Sequence, residues 1–275
     1  MTDFKIMGVV NVTPDSFSDG GLFLDADKAI AHGIELAKEG ADIVDIGGVP
    51  ARPGDDVDVR EEVRRTVPFI AAVRDAYPEL VISVDTWRHE VGREACAAGA
   101  DLLNDSWGGW DPRLAEAAAE FGAGIICSHA GGLPPRTRPF RVAYDDVVQD
   151  VLAGTLALAA RAVAAGVERE RILIDPAHDF GKNTWHSLEV TRRLAELVGT
   201  GWPVLVSMSN KDFIGETLDA AQHDRLSGTL ATVVFCILHG ARIVRVHDTA
   251  ATVDAVRMTE AMLGWRPPAY TRHNI

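Results

Sequence analysis

The stretch Val81-Ile82-Ser83-Val84-Asp85-Thr86 is an apolar run that ends in two polar residues. It is followed by His89–Ala98 with helical spacing of its apolar positions, by Gly99, and by a second short run, Asp101–Asn104. Read by periodicity, this is a strand, a loop, a helix closed by a glycine, and another strand. Such a unit requires a crossover and therefore a parallel sheet. The same unit recurs in both directions. Further strands are expected at Ile6–Val10, Ile43–Ile46, Gly124–Cys127, Ile172–Ile174, Pro203–Ser207 and Ile243–Val246. Helices are expected at Ala26–Glu39, Val59–Ala76, Pro112–Phe121, Val147–Ala165, Trp185–Leu197, His223–His239 and Ala251–Met262. About eight strand–helix units in one chain of 275 residues fit a (β/α)8 TIM barrel better than an open doubly wound sheet, so residues 1–275 are expected to form a single α/β barrel domain.

Composition narrows the functional classes. Of the residues, 47% are hydrophobic and 24% charged, and the chain holds only 25 glycines and 13 prolines, which speaks against disorder. The formal charge of -13 disfavours a protein that grips nucleic acid by neutralising phosphates. Cys96, Cys127 and Cys236 lie far apart in apolar stretches, as expected of reduced core thiols in a cytoplasmic protein. The N-terminal run Phe4–Val10 is too short for a signal peptide, and the longest apolar run, Leu230–Leu238, is about half of what crosses a membrane. Neither a membrane nor a nucleic acid is expected as a partner.

In a barrel, chemistry collects at the C-terminal ends of the strands. Asn11 stands at the end of the first strand and opens the turn-rich loop Asn11–Gly21, long enough to act as a lid; its carboxamide oxygen suits a hard cation such as Mg2+. Arg52 lies in Gly47–Gly54, where guanidinium and backbone N–H groups can grip a phosphate. Asp85-Thr86, Asn104-Asp105 and Asp175 are acceptors at one mouth, and a flat heterocycle with several N–H donors satisfies Asp85, Asn104 and Asp175 together. Arg245 and His247 are two apart on one strand and share a face; with Arg52 they supply local positive charge.

Taken together these motifs resemble the dihydropteroate synthases. The resemblance runs through Asn11–Gly21, Asp45-Ile46-Gly47-Gly48 with Arg52-Pro53-Gly54, Asp85-Thr86, Asn104-Asp105, Asp175-Pro176 with Phe180-Gly181-Lys182, Lys211 with Ile214-Gly215, and Arg245-Val246-His247-Asp248. It covers nearly the whole chain. It implies condensation of 6-hydroxymethyl-7,8-dihydropterin pyrophosphate with p-aminobenzoate, with loss of pyrophosphate. It further implies that Asp85, Asn104, Asp175 and Lys211 hold the pterin, that Asn11, Arg52, Arg245 and His247 hold pyrophosphate and Mg2+, that Phe17, Phe180 and Ser209 border the p-aminobenzoate site, and that the protein is a homodimer. Lys211, Arg245, His247 and Arg52 are the implied catalytic set.

Four positions depart from the family pattern. Val49-Pro50-Ala51 stand where Glu-Ser-Thr is usual, Ser209-Asn210-Lys211 for Ser-Arg-Lys, His129-Ala130-Gly131-Gly132 for His-Met-Gln-Gly, and Ala177-His178-Asp179 for a glycine-rich segment. The pattern looks like a divergent second paralogue, and it leaves open a protein that binds pterin pyrophosphate but uses another acceptor or none. A pterin-dependent methyltransferase is a third reading, opposed by Arg52, Arg245 and His247.

Overall fold

The computed structural model describes residues 4–12, 22–137 and 142–273. Eight parallel strands alternate with helices: β1 (Lys5–Asn11), α1 (Leu22–Glu39), β2 (Ile43–Gly47), α2 (Val59–Ala76), β3 (Val81–Asp85), α3 (His89–Ala97), β4 (Leu102–Asp105), α4 (Arg113–Phe121), β5 (Gly124–Ser128), α5 (Val147–Ala165), β6 (Ile172–Asp175), α6 (Thr184–Arg192), α7 (Leu194–Val198), β7 (Leu205–Ser207), α8 (Asp212–Leu218), α9 (Leu226–Leu238), β8 (Ile243–Val246) and α10 (Thr249–Met262). The strand order is β6-β5-β4-β3-β2-β1-β8-β7, and a lone parallel bridge between Ile174 and Val204 brings the two edge strands together in a nearly closed barrel.

Strand alternation sorts the side chains into two cores. Ile46, Ile82, Val84, Leu103, Ile125 and Val244 point outward and are buried under the helix ring. Met7, Ile43, Leu102, Ile126, Leu205 and Ile243 point inward and close the barrel floor. Above that floor the inward positions turn polar, at Asp45, Ser83, Asn104 and Arg245, and the site begins there. Helix ends follow their sequence signals. The Asp58 and Asp146 carboxylates cap the N-termini of α2 and α5, and Gly122 and Gly166, in the left-handed region, end α4 and α5.

The expected helix Trp185–Leu197 is broken at Arg193 into α6 and α7, and α9 starts at Leu226, after a short turn at residues 222–224. α8, seven residues long, is an element the periodicity did not reveal. α5 has 19 residues and is apolar enough to match a membrane span in length and composition. Its buried stripe Val147, Val148, Val151, Thr155, Ala159 and Ala162 packs inside the fold as a barrel helix. All three cysteines are free and buried, and burial pushes each thiol up to about 12.

Leu103, with no exposed surface, lies between β4 and the helices. Leu103→Ala is expected to lower unfolding stability by about 2–5 kcal/mol in urea denaturation, against less than about 0.5 kcal/mol for an exposed control such as Glu168→Ala.

Candidate active site

Asp45 is completely buried in the middle of β2 and lies at the centre of the polar layer. Its carboxylate accepts from the Ser83 hydroxyl at 2.5 Å, the Asn104 amide at 3.2 Å and the Arg245 guanidinium at 2.6 Å. Arg245 reaches on to Asp85 at 3.1 Å, and Asp85 also accepts from the Ser106 hydroxyl at 2.7 Å. Burial pushes the Asp85 carboxyl up to about 6 even though Arg245 opposes the shift. The Arg245 charge is thus shared between two carboxylates. His247 is pushed down to about 4 by burial, with Arg245 and Lys211 adding to the shift, and is neutral at pH 7. Its Nδ1 lies 3.1 Å from the Ser209 hydroxyl, which also accepts from the His247 backbone N–H at 3.2 Å.

Lys211 and Arg52 are the other cations of the mouth; burial lowers the Lys211 ammonium from its usual range, while Asp179 and Asp175 oppose the shift. Lys211 donates to the His178 carbonyl and lies 5.0 Å from the Phe180 ring centroid. Arg52, Phe180, Trp107 and Lys211 line one cleft of about 330 Å3, with Asn210 and Asp212 at its edge. Asp175 closes the mouth from β6. It accepts from the Ala177 N–H at 2.7 Å, and burial raises its carboxyl while Lys211 pulls the other way. Asn11 lies at the end of β1, and the open position over Gly47 where a Cβ would stand is 3.5 Å from its Oδ1 and 3.8 Å from the Asp85 Cβ. Phe17 lies outside the described residues. Asp105, read from sequence as facing the mouth, alternates to the outside of the barrel. There one carboxylate oxygen accepts from the Gly109 N–H at 2.7 Å and the other has no partner.

Several supporting residues are quoted in the sequence motifs without an assigned role. Asp45 has a signal, since an acid inside the apolar run Ile43–Ile46 must be paired. Lys182, in Phe180-Gly181-Lys182, carries no signal for the role it plays. Its buried ammonium meets His129 Nδ1 at 2.8 Å and the carbonyls of His129, Ala177 and Phe180 at 3.0, 3.2 and 3.0 Å, joining the loops after β5 and β6. His178 is fully buried, stacks on Phe213 and shares a hydrogen bond with the Thr191 hydroxyl at 3.0 Å. The Asp179 carboxylate accepts from the Asp212 N–H at 2.7 Å and from the Ser187 hydroxyl at 3.0 Å, which caps α8 directly after Lys211. The added bulk and charge of this segment thus go into packing and capping.

A single neutral oxygen at Asn11 fits a Mg2+ held mainly by water and a bound diphosphate, not an all-protein cage. Among the described residues, the one cluster of three potential ligands is His89, Glu90 and Asp111. It lies at the start of α3 and does not include Asn11.

The eight-stranded parallel barrel carries its acceptors, a lysine and an arginine at one mouth, and the profile of the pterin binding enzymes matches residues 7–247. The chain belongs to that family, in its dihydropteroate synthase branch. It is 55% identical over 270 residues, 97% of this chain and 93% of the other, to a Mycobacterium leprae protein named inactive dihydropteroate synthase 2. It is 42% identical over 259 residues, 94% of this chain and 91% of the other, to the dihydropteroate synthase of Escherichia coli K12. The Xanthomonas albilineans dihydropteroate synthase solved with 4-aminobenzoic acid superposes with a TM-score of 0.87 at 40% identity, covering 94% of this chain and 93% of that one.

The buried Asp105 carboxyl is raised from 3.8 to about 7 by burial, against the Trp107 and Gly109 N–H groups and Arg161. The folded state therefore holds its proton more tightly than the unfolded state, and stability from this group is present below about pH 4 and is lost as the pH rises to about 7. Asp105→Asn is expected to gain melting temperature relative to the parent chain progressively from pH 4 to pH 7; an offset that does not change with pH would contradict the assignment.

Proposed function

We propose that the mouth binds 6-hydroxymethyl-7,8-dihydropterin pyrophosphate and catalyses its condensation with p-aminobenzoate, as a slow dihydropteroate synthase. The observation that carries this reading is that Asp85, Asn104 and Asp175 stand at the C-terminal ends of β3, β4 and β6, on the mouth where Lys211 lies within reach of the Asp175 and Asp85 charges and shares a cleft with Arg52. Buried carboxylates and an amide suit the N–H edge of a pterin, and Lys211 suits its carbonyl. Arg52 meets the pyrophosphate, and Asn11 would help to hold a Mg2+ beside it. His247, neutral at pH 7, contributes a hydrogen bond, and Arg245 contributes mainly by setting Asp85 in place. The amine nitrogen forms a bond to the pterin methylene carbon as the carbon–oxygen bond breaks; the electron pair leaves with pyrophosphate, and the amine proton passes to solvent. When bound, Mg2+ would supply stabilisation of the charge that develops on the leaving group. Phe180, Ser209 and Phe17 border the acceptor. Buried thiols and the acidic charge support a cytoplasmic setting.

Ala51 and Asn210 line the acceptor side and carry neither the hydroxyl nor the cation of the family pattern. Two or three missing hydrogen bonds of about 1 kcal/mol each lower rate or affinity by about one to two decades. The same two residues, with the inactive relatives, favour a second reading in which pterin pyrophosphate binds and p-aminobenzoate is not used. Pyrophosphate release from the pterin substrate with Mg2+, with and without p-aminobenzoate, separates the two. The first reading expects slow, p-aminobenzoate-dependent release. Binding without dependent release establishes the second, and no binding removes both. Lys211→Ala is expected to weaken pterin binding by about 10–100-fold in calorimetry; unchanged binding would dismiss its role.

A homodimer is proposed on the face formed by α9 and α10, where Phe235, Leu238, Met258 and Met262 are 37%, 55%, 60% and 65% exposed. Neighbouring apolar side chains left in water on two adjacent helices suit a self-complementary contact. Light scattering is expected to give about twice the 29.6 kDa chain mass, falling to one chain mass for Leu238→Glu with Met262→Glu. A monomeric parent protein would contradict the assignment.

A further inference from the structure

We infer that the Ser128 hydroxyl is a ligand-contacting group of the mouth, which hydrogen-bonds the bound heterocycle between Asn104 and Asp175. The inference rests on the proposal that the mouth takes a pterin.

Strand alternation fixes where this hydroxyl points. On β5, Ile125 and Cys127 lie in the outer core and Ile126 in the barrel floor, so Ser128 shares the inward face of Ile126. The register agrees on both sides. Ser128 pairs with Asp175 on β6, Ile126 pairs with Asn104 on β4, and paired residues of neighbouring strands project to the same face. In the strand order β5 lies between β4 and β6, so Ser128 stands between Asn104 and Asp175, level with Asp175 and one inward step above Asn104. A flat ring that touches both Asn104 and Asp175 must cross β5, where Ser128 is the last inward residue.

The backbone around Ser128 is engaged away from the barrel interior. Its carbonyl oxygen faces the loop after β4, 3.3 Å from where a Cβ on Gly108 would stand, and the following N–H, on His129, donates to the Asp175 carbonyl at 3.0 Å. The Ser128 side chain is 1% exposed, and its Oγ has no hydrogen-bond partner among the described residues. Ser83 and Ser187 are as deeply buried, yet their hydroxyls donate to Asp45 at 2.5 Å and to Asp179 at 3.0 Å. A hydroxyl kept from water without a partner destabilises the fold. Its place between two groups that meet the ligand makes a ligand atom its partner. The neighbours decide which way the bond runs. The Asn104 amide N–H donates to Asp45, which leaves the Asn104 oxygen to accept, and Asp175 offers a carboxylate. Both take N–H groups of the ring, whereas Ser128 brings an O–H, which complements a ring-nitrogen lone pair flanked by N–H donors. N1 of a 7,8-dihydropterin, between the 2-amino group and N8–H, has that pattern.

The test measures, by calorimetry, binding of 6-hydroxymethyl-7,8-dihydropterin and of its pyrophosphate with Mg2+ to the parent protein, Ser128→Ala and Arg52→Ala, together with the melting temperature of each protein without ligand. Ser128→Ala is expected to weaken both ligands by the same factor, about three- to tenfold, because it removes a contact to the ring. It is also expected to melt at or above the parent, because no hydrogen bond within the protein is lost. Arg52→Ala is expected to weaken the pyrophosphate alone. Unchanged binding of both ligands by Ser128→Ala, where the parent binds them, would overturn the inference and leave the site reading intact. A melting temperature of Ser128→Ala well below the parent's would make the hydroxyl a structural group and overturn it too, as would a loss confined to the pyrophosphate. Failure of the parent to bind either ligand would overturn the site reading and the inference with it.

Discussion

The Arg245 guanidinium lies inside the barrel between Asp45 and Asp85, and the rest of the site is arranged around that bridge. Asp45 has no exposed surface, so its charge is tolerated only because Arg245, Ser83 and Asn104 all turn toward it. Those partners come from β8, β3 and β4, and one carboxylate on β2 thereby ties together four strands at the level where the barrel becomes a site. Removing one partner of a buried pair typically costs about 3–5 kcal/mol because the other charge is left behind. The same bridge directs Asp85 and the Asn104 amide, two of the groups that a donor-rich heterocycle would meet.

Above this layer the rim is held by contacts between loops. Lys182 draws the loops after β5 and β6 together through three carbonyls and His129. Asp179 caps α8 and so fixes the turn that carries Lys211. The segment Ala177-His178-Asp179 therefore changes how the lysine is supported and leaves the lysine itself in place. Departures from the family pattern on the acceptor side are of another kind, since Ala51 and Asn210 line the cleft directly.

Much of this was legible in the sequence because barrel strands declare themselves as short apolar runs and the polar residues that follow them fall at one mouth. All eight strands lie where their runs lie, within one or two residues at each end. What stayed hidden has physical reasons. α8 is too short for a 3.6-residue period to repeat, and Arg193 breaks one periodic segment into two helices without a glycine or proline to mark it. The outward turn of Asp105 follows from strand alternation, since Asn104 takes the inward position beside it. Trp107 acts through packing, and Lys182, although part of the Phe180-Gly181-Lys182 motif, acts through carbonyls of loops distant in sequence, which no spacing in the chain reveals. The expected cluster of three cations is reduced in effect because Arg245 is shared by two carboxylates and burial keeps His247 neutral, which only the folded geometry reveals.

A chain of net charge -13 thus sets Arg52 and Lys211 in a cleft shared with Asp179 and Asp212, above the buried Asp45–Arg245–Asp85 bridge, in a family whose members include both named synthases and named inactive paralogues. On the proposed function, the departures from the family pattern fall more on the acceptor side than among the residues assigned to the pterin. The most direct measurement is calorimetric titration of 6-hydroxymethyl-7,8-dihydropterin pyrophosphate into the protein with Mg2+. The structure predicts saturable binding at one site per chain, weakened at least tenfold in Asp175→Asn; absence of binding, or binding indifferent to Asp175, would contradict the account.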